Sequence, residues 1–231
     1  MKKDILGDKA RYRQVETVEL KQPPWMSICA IEIKDIEGIT VSLGTGWLAA
    51  GRTVITAAHV VWRNTKNNNL RAQVTFPSSG VSFSITRENI KVHEGYSSAD
   101  TGALDFFDIA ALKLPSPFSP ALLAAPFATD TPVEIAGFPD IRNVLGTFVT
   151  QRAEGVRSVS KRELLLHRAD TLPGHSGAPV AQSQSSGALG VVGIHIQNGM
   201  ANPDEAQFGE RNVALLLGED LATFIQKCVS D

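Results

Sequence analysis

Cysteine is scarce in this 231-residue chain: Cys29 and Cys228 are its only two, almost the whole sequence apart. Two thiols so placed cannot build a disulfide framework, and they match none of the short spacings of a metal site. Both read as small buried or half-buried residues. Excess charge is lacking too. A net charge of −2 gives no field to gather nucleic acid or an anionic membrane surface. No apolar segment approaches transmembrane length, and no internal repeat or low-complexity tract is present. The opening Met1-Lys2-Lys3-Asp4-Ile5-Leu6-Gly7-Asp8 has two lysines with no apolar run behind them, so no signal peptide is legible. That suits a protein that stays inside the cell, or one whose leader has been removed. Cysteine poverty fits the cytosol and a bacterial secreted protein equally, so the compartment stays open.

What is present is an ordinary globular composition, 43% hydrophobic and 20% charged, able to bury a sizeable core. Alternating or β-branched runs broken by turn residues predict strands over 27–33, 40–50, 53–56, 70–76, 81–86, 109–114, 132–137, 144–150, 163–167, 188–196 and 212–217. A single helical turn is expected over 57–62. A one-faced stripe of Leu221, Phe224, Ile225 and Val229 predicts a helix over 219–229. Many short strands with one terminal helix point to an all-β barrel or sandwich. The proline-rich stretch from Pro115 to Pro126 divides the strand set near its middle. The basic residues Arg152, Arg157, Lys161, Arg162 and Arg168 read as the solvated face of a hairpin.

Three segments carry chemistry: Thr56-Ala57-Ala58-His59, Asp108-Ile109-Ala110-Ala111-Leu112 and Pro173-Gly174-His175-Ser176-Gly177-Ala178-Pro179. A serine hydroxyl is a poor nucleophile until an imidazole takes its proton. A buried carboxylate must then fix the imidazole's tautomer and stabilise its charged form. Asp100 and Asp105 compete with Asp108, but only Asp108 leads directly into a strand of small and aliphatic residues. Glycine at 174 and 177 allows the N–H groups of Gly174 and Ser176 to converge as an oxyanion hole. Gly44 and Gly46 invite comparison with a phosphate loop, but no Gly-Lys-Ser/Thr follows them. His93 and His167 lack partners at metal-ligand spacing and read as structural or surface residues. No metal site or cofactor motif is found.

The order His59, Asp108, Ser176, with serine in Gly-x-Ser-Gly and histidine closing Gly44-Thr45-Gly46-Trp47 through Thr56-Ala57-Ala58-His59, resembles the chymotrypsin/trypsin-like serine peptidases. The resemblance implies an all-β fold of two six-stranded antiparallel β-barrels with a C-terminal α-helix. The chain would then be one peptidase domain, 1–231. Its N-terminal barrel would span about 25–115, a linker about 115–131, the C-terminal barrel about 132–217 and the helix 219–229. It further implies a serine endopeptidase acting on a protein or peptide through an acyl-enzyme, without cofactor, nucleic acid or membrane. His175 stands where many members carry an acid or Asn, so activation through a freed N-terminal amine is not expected.

Thr171 and His195, the latter in Gly190-Val191-Val192-Gly193-Ile194-His195, are similar to the glutamyl endopeptidase (V8-like) branch. There a Thr and a His on the pocket wall receive a substrate Glu side chain. Asp170 leaves an alternative open, because trypsin-like enzymes place the acid that binds Lys or Arg at this position. The resemblance narrowly favours Glu or Asp at the cleaved residue. A protease-fold module that needs a partner, as part of a larger protein assembly, is the second alternative.

Overall fold

The computed structural model describes residues 12–16, 18–67, 69–96, 106–129, 131–138, 146–149, 155–159, 162–167, 169, 171–198 and 212–230. Fifteen strands and two helices occur among them. The first set is β1 (Tyr12–Gln14), β2 (Ile28–Lys34), β3 (Thr40–Ala50), β4 (Thr53–Thr56), helix α1 (Ala58–Lys66), β5 (Arg71–Phe76), β6 (Val81–Ile85), β7 (Ile90–Val92) and β8 (Ala110–Lys113). The second is β9 (Glu134–Gly137), β10 (Gly146–Val149), β11 (Gly155–Val159), β12 (Arg162–His167), β13 (Pro179–Ser183), β14 (Leu189–Asn198), β15 (Asn212–Leu216) and helix α2 (Glu219–Ser230).

These strands form two antiparallel sheets, ordered β6-β5-β2-β3-β4-β8-β7 and β1-β10-β9-β13-β14-β15-β12-β11. Seven and eight strands replace the expected six and six, for two local reasons. In the first sheet, β6 and β7 follow each other in sequence, separated only by a 3₁₀ turn at Arg87–Asn89, yet lie at opposite ends of the strand order. Such a short connection can join them only if the sheet curls back on itself, so the pair are halves of one broken strand. The second sheet repeats the device with β10 and β11, and β1 adds a further strand beside β10. Helix α1 also runs beyond the single turn expected. Four strands, β1, β7, β11 and β13, lie outside the runs that the alternation marks.

The core explains the strand runs. Trp47, Leu48, Val54, Ile55, Phe76 and Leu112 are sealed from solvent, and each aliphatic or aromatic side chain so buried contributes about 1.5–3 kcal/mol. Phe118 of the proline-rich segment stacks on Phe76 at 4.1 Å. The apolar stripe of α2, Leu221, Phe224, Ile225 and Cys228, closes the same cluster. Cys29 and Cys228 are both buried free thiols, and burial pushes the Cys29 thiol far above its usual range. The segment between the sheets is stitched to both. Leu122 N donates to Leu48 O of β3, and Ala125 N donates to Val191 O of β14.

Candidate active site

Strand pairing brings His59 and Asp108 together. β4 and β8 are antiparallel neighbours with Thr56 opposite Ala110, so the chain leaving Thr56 passes the chain entering Ala110. Ala57 and Ala58 are fully buried, and their small side chains let the turn pack tightly beneath the first turn of α1, where His59 lies. Asp108 then grips His59 twice. Its Oδ2 lies 2.6 Å from the ring Nδ1, and its Oδ1 accepts the His59 backbone N–H at 2.8 Å. The second bond satisfies one of the amide groups that every helix start leaves free. The Asp108 side chain is 9% exposed and that of His59 36%. Burial would pull the His59 pKa down, but the charge and hydrogen bond of Asp108 outweigh it, and the net shift is upward. Asp100 and Asp105 lie outside the described residues.

The loop carrying Ser176 is held against this pair by Thr45 of β3. The Thr45 N–H donates to Ser176 O at 2.8 Å, and its hydroxyl donates to Gly174 O at 2.7 Å. The same hydroxyl accepts the Phe138 N–H at 2.9 Å, while the Thr45 carbonyl accepts the Thr56 hydroxyl at 2.7 Å. One buried residue thus ties β3, β4, the end of β9 and the Ser176 loop. Its flanking glycines show why the sequence reads Gly44-Thr45-Gly46. A Cβ on Gly44 would meet Val60 at 2.7 Å, and one on Gly46 would meet Ile55 O at 2.8 Å. Gly177 has φ +84°, and a Cβ there would lie 2.2 Å from Thr56 Oγ1 and 2.7 Å from Ala57 N. Ser176 is thereby fixed next to the turn that carries His59. Among the described residues no hydrogen bond joins the Ser176 hydroxyl to the imidazole.

Within the loop, the amides divide into two groups. Those of His175, Gly177 and Ala178 donate to Leu172 O, His195 O and His175 O. Those of Gly174 (φ 98°) and Ser176 donate to no acceptor among the described residues. Two free N–H groups, one residue apart, flank the Ser176 side chain. His175 is fully buried with Nδ1 at 3.0 Å from Leu172 O. Burial outweighs that contact and lowers its pKa to about 4, so it is neutral and structural.

Beyond the loop stand Thr171 and His195, both buried. His195 lies on β14 and donates its backbone N–H to Ala178 O, fastening the strand to the Ser176 loop. Desolvation, with further contributions from His167, His175 and His59, holds its pKa well below the usual value. Asp170, the competing pocket residue, lies outside the described residues. Sequence reading missed Thr45 as a fastener, although its two glycines marked it; His167, read as structural or surface, is buried and sits edge-on to His195 with ring centres 5.6 Å apart. Among the described residues no cluster of His, Cys, Asp or Glu is arranged to hold a metal ion.

The sequence pattern of the trypsin-like peptidase domain matches residues 44–194, which span the His59 motif, Asp108 and the Ser176 loop. The chain belongs to that family. The peptidase is also similar in structure to a Glu endopeptidase solved in complex with MPD, at TM-score 0.72 and 19% identity, over 98% of this chain and 100% of that one. It resembles the active form of the Rv3671c protease from M. tuberculosis at TM-score 0.61 and 22% identity, over 90% of this chain and 82% of that one. Deg5 follows at TM-score 0.60 and 18% identity, over 92% and 93%. At these identities the likeness establishes the fold. None of the curated proteins matches the chain. Family and fold make the peptidase a serine endopeptidase, a hydrolase of peptide bonds.

Proposed function

We propose that Ser176 is the nucleophile, His59 its general base and Asp108 the carboxylate that orients His59. The Ser176 oxygen attacks the peptide carbonyl while His59 Nε2 takes the hydroxyl proton. The same imidazole then delivers that proton to the leaving amine, and water repeats the sequence on the acyl-enzyme. The Gly174 and Ser176 N–H groups receive the oxyanion. The observation that carries this reading is the double grip of Asp108 on His59, at 2.6 and 2.8 Å, beside a loop in which the Gly174 and Ser176 amides have no acceptor among the described residues. The test is labelling by a fluorophosphonate: Ser176→Ala should lose the label, and equal labelling of both proteins would refute the assignment.

For specificity, the reading is a preference for Glu or Asp at the cleaved residue, received by Thr171 and His195. Hydroxyl and imidazole suit a carboxylate through charge-assisted hydrogen bonds, and the similarity to a solved Glu endopeptidase supports it. A peptide scan preferring Lys or Arg would transfer the role to Asp170. A second reading, a protease-fold module that gains activity with a partner, draws on the lack of a hydrogen bond between Ser176 and His59. Such contacts often tighten only when substrate seats. Turnover of peptides by the isolated chain separates the two.

A further inference from the structure

The C-terminal sheet buries a set of polar atoms that the triad does not use. His167 is fully buried, and neither ring nitrogen has a hydrogen-bond partner among the described residues; nor does Nδ1 of His195, nor Oδ1 of Asn212. Buried groups left so are rare in native interiors and call for an explanation. Pairing places them in one row. β15 lies between β12 and β14, with His167 opposite Asn212 and His195 opposite Ala214. Residues opposite each other on paired strands share a face, and the small Ala214 side chain lets the two imidazoles meet across β15. The Asn212 amide is fixed in orientation, because Nδ2 donates to Ala169 O at 2.7 Å. Its Oδ1 is therefore an acceptor.

We propose that His195, His167 and Asn212 form a relay that lets the pocket take up one proton with an acidic side chain, His167 acting as the positioning residue. This rests on the reading of His195 as the host of that side chain. A turn of either ring about its Cβ–Cγ bond lets His195 Nδ1–H donate to one nitrogen of His167. The N–H on the other side of His167 then donates to Asn212 Oδ1, already anchored to Ala169. This single arrangement satisfies all four atoms. It also fixes the neutral tautomer of His195 with Nδ1 protonated, leaving Nε2 as the basic nitrogen. When a carboxylate enters, one proton from solvent binds at Nε2; the carboxylate keeps its charge and pairs with the imidazolium. No covalent bond to carbon changes. Among the described residues, the titratable groups that act on His195 are His167 on β12, His175 in the Ser176 loop, and His59, itself held by Asp108. All three histidines lower its affinity for a proton in the empty pocket, so the uptake waits for the acid.

The experiment uses the full chain and two peptides that differ only in Glu or Gln at the cleaved residue. Binding to Ser176→Ala is followed by calorimetry in two buffers of different ionisation enthalpy, giving the protons taken up. About one proton is expected with the Glu peptide and none with the Gln peptide. In the otherwise unmodified enzyme, His167→Leu should raise KM for the Glu peptide about tenfold at unchanged kcat, with the Gln peptide unaffected. His167→Gln can still accept from His195 and donate to Asn212, so it should restore most of the loss. If His167→Leu keeps the Glu-over-Gln ratio, the relay is wrong. If wild-type peptidase prefers Glu yet takes up no proton, the relay is wrong without any variant. A wild type indifferent to Glu overturns the specificity reading itself, and the relay with it, before any histidine is changed.

Discussion

The two sheets handle buried polarity in opposite ways. In the N-terminal half the buried polar side chains other than Asp108 are short hydroxyls, each donating to a backbone carbonyl: Ser27 to Pro120, Thr45 to Gly174, Thr53 to Cys228 and Thr56 to Thr45. In the C-terminal half they include imidazoles and an amide, several of whose atoms have no partner among the described residues. A satisfied hydroxyl rigidifies and then stays inert, whereas a sealed imidazole keeps a protonation state that can change. The first half holds His59 and Asp108 still. The second carries the groups that the proposed relay would use.

The sharpest way to test the rigid half is at Asp108. Asp108→Asn keeps the size but removes the charge and favours the wrong tautomer of His59, so kcat should fall on the order of 10⁴-fold. A loss below tenfold in steady-state turnover, with the fold intact by circular dichroism, would show that Asp108 does not orient the base.

Acid should separate the halves next. His167 and His175 have pKa values lowered to about 3 and about 4, and that of His195 is well below normal. At His167, burial outweighs the opposing influence of the nearby Ala169 backbone. The unfolded chain, with ordinary histidines near 6.5, binds more protons than the fold as pH drops. Stability from these three is therefore present above about 6.5 and lost below it, by about 4 kcal/mol in all between pH 7 and 5.5. His59 runs the other way. Its raised pKa contributes stability below 6.5 that disappears as pH rises through the folded value, and kcat/KM should climb with pH through that same raised value. Urea midpoints independent of pH from 7 to 5.5 would contradict the neutral trio.

Glycine substitutions come third. Gly177→Ala would drive a Cβ to 2.2 Å from Thr56 and 2.3 Å from Thr45 O, in a left-handed conformation, and should cost about 3 kcal/mol or more. Gly187→Ala shares a φ of +81° but meets nothing within 4 Å, so about 1 kcal/mol is expected. Equal losses in thermal unfolding would mean that the contact between loop and first sheet is slack. The smallest effect concerns the hydroxyls. Thr45→Val removes two hydrogen bonds between the halves and should cost about 2 kcal/mol together with some activity, while Thr53→Val removes one at 3.2 Å for about 1 kcal/mol and no activity. If both variants retained full turnover, Thr45 would be no fastener of the site.

Strands were legible where alternation and β-branching coincide, as in β3 and β4, whose limits match the sequence reading. Short edge strands such as β1 and β7 have too few residues for a period to emerge, and their pairing comes from neighbours distant in sequence. The candidate site divides in the same manner. His59 and Ser176 stand in motifs whose small residues are demanded locally. His167 has no such context, and only the placement of β12 and β14 on either side of β15 gives it a companion.

The amino-acid order alone specified a strand-rich barrel or sandwich, a terminal helix with one apolar face, and which histidine, aspartate and serine to examine, because periodicity and backbone freedom are local properties of a chain. That Thr45 would clasp the Ser176 loop, that two amides there would be left free, and that three histidines would be stripped of water together were decided by packing. Desolvation and hydrogen-bond geometry depend on which surfaces meet, and residues more than a hundred positions apart meet only when the sheets have closed.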